Sequence, residues 1–329
     1  MVLTRQTDVV VIGAGISGLT TAVTLAETGL SVGILADRDP TRTNSATAGA
    51  SWGPYMVSDE RVLRWSKETF EVLAGLAAKP DSGVRMVPGV EAFEEKVVEP
   101  PSWALEVPDF VRGLPPGLPG RYVDGWRYTV PIVDMTAYLD HLSGRFTDAG
   151  GVFEIGRTIT GFADAAAAHR AGAVVVNCTG VGARLLVPDD GLTSVRGQLV
   201  VVDNPGITEF FQDNPHGPEL TCIFPHEDYV VLGGHASLDA ADMSPDRRIA
   251  ELILERCREV DPRLNEARVI GHRVGLRPNR PNVRVEWDER ADFPLLHNYG
   301  HGGSGVTLSW GCASEILRLV QDGGPARPA

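Results

Sequence analysis

The stretch Asp8-Val9-Val10-Val11-Ile12-Gly13-Ala14-Gly15-Ile16-Ser17-Gly18 couples an apolar run to the spacing Gly-x-Gly-x-x-Gly. The chemistry that spacing serves is phosphate binding by main-chain groups. Gly13 permits a tight turn, Gly15 lets the backbone approach a pyrophosphate, and Gly18 lets a helix pack closely on the strand. The orphan N–H groups at the start of that helix then face phosphate charge. A second apolar run, 31–36, ends at Asp37. An acid there suits a ribose hydroxyl and repels a 2′-phosphate. Strand, glycines, helix and acid in one unit indicate an adenine dinucleotide. At this point FAD and NAD both qualify.

Three later segments bear on that choice. Val174-Val175-Val176-Asn177-Cys178-Thr179-Gly180-Val181-Gly182 runs from apolar residues into small ones, as a backbone does when it passes close to a cofactor. Gly275-Leu276-Arg277-Pro278 is followed by Arg280, Arg284 and Glu286. His297-Asn298-Tyr299-Gly300-His301-Gly302-Gly303-Ser304-Gly305-Val306-Thr307 leads into the last helical pattern. That loop aims a helix N-terminus and several N–H donors at an electron-rich group, which suits the pyrimidine end of a reduced flavin. A nicotinamide enzyme has no use for a second glycine loop, and it would purify colourless. FAD is therefore the expected cofactor.

The elements that must position these segments follow from periodicity. Trp65, Thr69, Val72, Leu73 and Leu76 share a helix face, as do Met135, Tyr138, Leu139, Leu142 and Phe146 behind an Asp134 cap. A third helix is expected to start at Ser244-Pro245 and turn Ile249, Leu252, Ile253, Cys257 and Val260 inward; a fourth spans about 306–320. Strands are expected at 174–177, 199–202, 229–232 and 269–274, and the Pro- and Gly-rich region 100–120 as an exposed connection. The predicted class is α/β: a doubly wound dinucleotide-binding domain with an interleaved, mainly antiparallel β-sheet substrate domain. The boundaries expected are 1–50, 145–195 and 270–329 for FAD binding, and 51–144 and 196–269 for substrate.

At 329 residues the chain can build two cores, and 43% apolar with 22% charged residues is ordinary for a globular protein. A net charge of −13 argues against nucleic acid and anionic membrane surfaces as partners. Cys178, Cys222, Cys257 and Cys312 form no C-x-x-C pair and no metal spacing with histidine, so no metal site is expected and reduced thiols are. With no leader-like segment and no membrane-length apolar run, the expected compartment is the cytoplasm.

Taken together, these motifs resemble the D-amino-acid oxidase family of FAD-dependent flavoproteins, within the glutathione-reductase-like two-domain fold. The matching segments are the opening glycine unit, Ala36-Asp37-Arg38, Ala48-Gly49-Ala50-Ser51-Trp52-Gly53-Pro54-Tyr55, Asn177-Cys178-Thr179-Gly180, Arg196-Gly197-Gln198, Gly275-Leu276-Arg277-Pro278, and the 297–307 loop with Trp310-Gly311. The resemblance implies that Gly13, Ala14, Gly15, Ile16, Ser17 and Gly18 hold the pyrophosphate, helped by Thr43, Asn44 and Ser45. It places Asp37 and Arg38 at the adenosine ribose. Gly49 and Ala50 pass along the isoalloxazine, Cys178, Thr179 and Gly180 approach the cofactor, and Gly302, Gly303, Ser304, Gly305, Val306 and Thr307 close the other side. It implies Arg277 as the catalytic and substrate-binding residue, a planar fork holding a carboxylate by two parallel hydrogen bonds. Ser51, Gly53, Cys222 and Ser304 complete the expected substrate wall. The residue-level alternative for Arg277 is a structural ion pair, for instance with Glu286. His301 reads equally well as a pocket residue or a local hydrogen-bonding group, Trp52 and Tyr55 as core and pocket wall, and Cys178 as packing.

The resemblance also implies oxidative deamination of a D-amino acid or related amine. Hydride passes from the α-carbon to flavin N5, and O2 reoxidises the flavin to give H2O2. The chain departs from the family where tyrosines help bind the carboxylate: Cys222 stands at one such position and Pro218 near the other. Tyr229 is not an assured replacement. A thiol is a weak donor, and a lost hydrogen bond to a carboxylate costs about 1.5–3 kcal/mol. Either another donor substitutes, with Tyr128, Arg127 and His216 as candidates, or a widened pocket takes a different amine and turns over D-alanine weakly. The alternatives to the oxidase are a biosynthetic amine or imino-acid flavoprotein, a nicotinamide dehydrogenase and a non-catalytic FAD-binding protein. Small-molecule substrate and O2 are the expected partners, and a homodimer stays open.

Overall fold

The computed structural model describes residues 7–167, 172–213, 219–238 and 242–324. In chain order these give β1 (Val9–Ile12), α1 (Ile16–Ala26), β2 (Val32–Ala36), α2 (Val62–Leu76), β3 (Val84–Phe93), α3 (Ser102–Glu106), β4 (Val111–Arg112), β5 (Asp124–Val133), α4 (Met135–Asp148), β6 (Val152–Ile155) and α5 (Phe162–Ala167). The chain continues through β7 (Val174–Asn177), β8 (Thr193–Asp203), β9 (Phe210–Asp213), β10 (Glu219–Pro225), β11 (Tyr229–Leu238), α6 (Arg247–Val260), β12 (Val269–Trp287), β13 (Leu295–His301) and α7 (Gly305–Asp322).

The strands form one continuous sheet in the order β4-β5-β3-β9-β10-β11-β8-β12-β13-β7-β1-β2-β6. From β13 to β6 the pairing is parallel. From β3 across to β13 it is antiparallel except at β3–β9. The architecture is thus α/β, with a large, mainly antiparallel portion. The four residues of β1 explain the parallel half: Val9 and Val11 enter one core while Val10 and Ile12 enter another. A strand apolar on both faces requires cover on both.

On one side α1 packs against α7, and Thr20 Oγ1 donates to Ser309 O across that contact at 3.2 Å. Gly18 is where this packing needs glycine, since a Cβ there would collide with the Gly13 carbonyl. Asp134 caps α4 as expected, accepting from Thr136 N and Ala137 N, and its other oxygen accepts from Tyr229 OH at 2.9 Å.

Several local expectations change. Helix α6 begins after Asp246, whose carboxylate accepts from Arg248 N and Ile249 N, so the cap is Asp246 rather than Ser244. Leu252 on that helix faces solvent at 37% exposure, leaving Ala250, Ile253 and Cys257 as its buried face. Strand β12 runs on to Trp287 through Pro278 and Pro281, where a shorter strand was expected. The region 100–120 is not merely a connection: it holds α3 and β4, and Ala104 within it is fully buried. Strand β8 runs unbroken through the expected boundary at 195/196. His216 and Pro218 lie outside the described residues.

Candidate active site

A continuous cavity of about 550 Å3 opens at the C-terminal ends of β1, β2 and β7 and reaches across β8, β10 and β12. This is the crevice that open α/β sheets offer to nucleotides. Most of the residues expected at the cofactor line it: Gly13 to Ser17, Asp37, Arg38, Thr43 to Ser45, Gly49, Ala50, Cys178 to Gly180, Gly302, Gly303 and Gly305 to Thr307. Gly18 stands behind the wall in its packing role.

The cradle suits a dinucleotide. Gly15 precedes α1 and supplies no side-chain cap, and a Cβ on it would meet only Ser45 Oγ and Thr43 Oγ1 within 4 Å. Ser45 reaches back to cap the helix, its Oγ accepting from Ile16 N at 2.9 Å. At the ribose end both Arg38 hydrogen bonds converge on a single Asp37 oxygen, Oδ2 (2.9 and 2.5 Å). That partner holds the Asp37 carboxyl below its ordinary value. Asn44 Oδ1 accepts from Leu276 N at 3.1 Å and so ties the 43–45 turn to β12.

Behind β7 the polar groups are paired in series. Asn177 Oδ1 accepts from Thr179 N and Oγ1, its Nδ2 donates to His297 Nδ1 at 3.1 Å, and His297 Nε2 faces Asp288 Oδ2 at 2.9 Å. The loop after β13 is held just as firmly. Thr307 Oγ1 donates to Gly53 O and accepts from Gly53 N, while Ser304 Oγ accepts from Tyr55 N and donates to Tyr55 O. Ser304 therefore fixes the 53–55 segment, and its side chain is not on the cavity wall where substrate contact was expected. Gly302, with φ +56, has no room for a Cβ against Met56 O. His301 is local as well: Asn298 Nδ2 donates to Thr21 Oγ1, so Asn298 Oδ1 accepts from His301 Nε2 at 3.0 Å. Burial pushes the His301 imidazole down to about 4, so it is neutral.

Arg277 lies on β12 with its guanidinium over Gly197, where a Cβ would sit 2.7 Å from Cζ. Nη1 is shut off from solvent and has no hydrogen-bond partner. Glu286, the alternative ion-pair partner, is bound to Arg284 instead at 2.9 Å. Tyr55 and Cys222 lie within electrostatic reach of Arg277, and both share the cavity wall with Ser51 and Gly53, where Ser51 Oγ is buried and unpartnered. Burial raises the Tyr55 phenol, and the Arg277 charge opposes that rise. Burial likewise lifts the Cys222 thiol well above its ordinary value. Cys222 is therefore a neutral, packed thiol, and Tyr55 is the phenol that feels Arg277.

The other candidate donors are committed elsewhere. Tyr128 OH donates to Glu91 Oε2 at 3.0 Å, and Arg127 pairs with Glu209 on the exterior at 3.2 Å. Glu91, Trp103, Gln212 and Asp213 also line the cavity and were not singled out from sequence. The one available signal was Glu91 itself, a lone charge in the run Val90-Glu91-Ala92-Phe93. The four cysteines are free and buried. Among the described residues, no group of three or more His, Cys, Asp or Glu is placed to hold a metal. No described helix is long and apolar enough to cross a membrane.

The geometry is that of a dinucleotide crevice with an unpartnered guanidinium nitrogen beside it. Consistently, the family model described as FAD dependent oxidoreductase matches residues 8–319, and the chain belongs to that family. It is 45% identical to a D-amino-acid oxidase of Rubrobacter xylanophilus, covering 94% of this chain and 95% of that one. It is 42% identical to a D-amino-acid oxidase of Streptomyces coelicolor, covering 96% and 97%. Among solved structures, glycine oxidase from Geobacillus kaustophilus superposes with a TM-score of 0.80 at 17% identity, covering 98% and 96%, a likeness of fold. The protein is an FAD-dependent oxidoreductase of amines.

Proposed function

We propose that the protein oxidises D-amino acids, with Arg277 binding the α-carboxylate. The observation that carries this reading is a guanidinium on the wall of a cavity whose other residues fit FAD, with its buried Nη1 lacking any hydrogen-bond partner. A carboxylate offers that fork two parallel charge-assisted bonds. FAD, when bound, supplies the two-electron acceptor. The protein's part is to hold the α-carbon in place and to exclude water.

Tyr55, close enough to Arg277 to feel its charge, is the second donor proposed for the carboxylate, replacing the phenol absent at Cys222. Where the amine arrives unprotonated, its lone pair drives the hydride out and no side chain is required as a base. The names of the relatives support the D-configuration. The proposal extends to O2 as electron acceptor, a homodimer as assembly and the cytoplasm as compartment, the last supported by four unpaired thiols. It retains the division into an FAD-binding domain (1–50, 145–195, 270–329) and a substrate domain (51–144, 196–269).

The test is anaerobic mixing of the yellow holoenzyme with matched D- and L-amino acids. Bleaching by D-enantiomers alone, followed by stoichiometric H2O2 when air is admitted, is the expected result. Bleaching by L-enantiomers, or only by amines lacking a carboxylate, would overturn the reading.

A further inference from the structure

The cavity wall also includes a polar cluster drawn from three strands. Glu91 on β3 is 6% exposed and faces Trp126 on β5 across the pair. Trp126 Nε1 donates to Glu91 Oε2 at 2.9 Å, and Tyr128 OH donates to the same oxygen at 3.0 Å. Gln212 on β9, beside Glu91 in the parallel pairing, donates from Nε2 to Tyr128 OH at 3.1 Å. Both hydrogen bonds thus converge on Oε2. Glu91 lines the cavity, its Oε1 accepts from neither Trp126 nor Tyr128, and Gln212 is a third polar neighbour of the carboxylate.

Asp213, another acid on this wall, differs. Its Oδ1 accepts from Thr221 N at 2.6 Å and its Oδ2 from Tyr122 OH at 2.8 Å, so both oxygens are occupied. The wall around Glu91 is aromatic: Trp103 stands edge-on to Tyr128 at 5.9 Å, and Phe210 packs on Tyr128 at 5.3 Å. No cation is paired with Glu91 among the described residues, and burial lifts its carboxyl above the ordinary range. A carboxylate left in such surroundings is costly unless a cation joins it.

We propose that Glu91 is the specificity-determining residue of this site, taking a protonated nitrogen at the end of the substrate side chain while Arg277 holds the α-carboxylate. The substrate class is then D-amino acids with basic side chains. The inference rests on the D-amino-acid reading above and narrows it. Trp103 and Tyr55 on the cavity wall suit the methylene stem of such a substrate, and the opposite charges of Arg277 and Glu91 on that wall match its two ends.

The test compares D-lysine with D-norleucine, which has the same carbon chain and no terminal amine, on the FAD-loaded enzyme. Expected is a kcat/KM for D-lysine at least about tenfold higher, the value of one charged hydrogen bond. Glu91→Gln retains the oxygen that Trp126 and Tyr128 need, so it should lower the D-lysine value by about tenfold or more and leave D-norleucine within about threefold. A readout independent of turnover and of the variant is flavin spectral perturbation of the wild-type enzyme by 6-aminohexanoate and hexanoate, of which the first should bind more tightly. Equal binding of the two acids, a wild-type preference for D-norleucine, or an equal loss on both substrates in Glu91→Gln would overturn the assignment of Glu91. If D-norleucine bleaches the flavin and D-lysine does not, this inference fails and the D-amino-acid reading survives. If no D-amino acid bleaches it, both fail.

Discussion

Replacing Arg277 by methionine separates a substrate clamp from a structural arginine, because the two roles predict opposite changes in stability. Nη1 is buried and unpartnered, and among the described residues no acid pairs with the guanidinium, Glu286 being bound to Arg284. An unsatisfied buried donor of this kind costs about 1–3 kcal/mol. Methionine fills similar space over Gly197 with no donor to satisfy. The FAD-saturated variant should therefore melt about 2–5 °C above wild type, given a few degrees per kcal/mol for a chain of this size. Its kcat/KM should fall steeply. Two charge-assisted bonds at about 1.5–3 kcal/mol each set the loss at roughly 10²- to 10⁴-fold. The assays are thermal unfolding at saturating FAD, which removes differences in cofactor occupancy, and anaerobic flavin reduction across a D-amino-acid series. A lower melting temperature with substrate-driven bleaching intact would show that Arg277 supports the fold, and the clamp argument would be wrong.

Two further perturbations follow from the same geometry. Gly197→Ala puts a methyl 2.7 Å from Arg277 Cζ. The guanidinium is the flexible partner and swings aside, so kcat/KM should drop by about 10²-fold, as ångström-scale misplacement does, with FAD content and melting temperature close to wild type. An unchanged kcat/KM would mean that Arg277 tolerates displacement and does not set the substrate's position. His226, stacked on Tyr229 with ring centres 4.4 Å apart, is pushed down to about 4 by burial. Its folded value lies below its unfolded one, so the unfolded chain binds the extra proton and stability is lost as pH falls from about 6.5 toward 4. Between pH 7 and 5 this residue alone should cost about 2 kcal/mol. His226→Phe keeps the stack and should flatten that part of the pH–stability curve by that amount; identical curves for the two proteins would refute the assignment.

The cofactor cradle was legible in the sequence because each of its parts is local. Gly13, Gly15 and Gly18 lie within one turn, Asp37 ends the next strand, and the 297–307 loop runs directly into its helix. Each fragment carries its own backbone requirement, so residue type and spacing suffice. The same holds for α4, where Asp134 and the apolar stripe behind it sit on consecutive turns. Strand β12 was read short for an equally local reason: Pro278 and Pro281 interrupt its pattern, and only the pairing with β8 and β13 shows that the strand continues. Trp103 was hidden among prolines and glycines that mark an exposed loop, although its ring is turned inward against Trp52 and Tyr128.

The substrate end was illegible for a different reason. Glu91, Trp126, Tyr128 and Gln212 come from three strands, and none of them sits in a motif. Their meaning arises only when β3 lies between β5 and β9 and brings the four side chains to one wall. Sequence could show that Cys222 replaces a phenol, but not that Tyr55 comes within reach of the Arg277 charge. A reader of the chain would therefore infer a weakened carboxylate clamp, whereas the fold brings a phenol within reach of the guanidinium and sets an acid, Glu91, on the same cavity wall. Binding of the cofactor is specified by turns, which residue order encodes directly. Under the proposed reading, choice of substrate would be specified by single positions on separate strands, which change independently while the cradle stays fixed. A chain can thus keep the flavin chemistry of its family and alter its substrate through one strand position such as 91 or 222, with no trace in the glycine motifs.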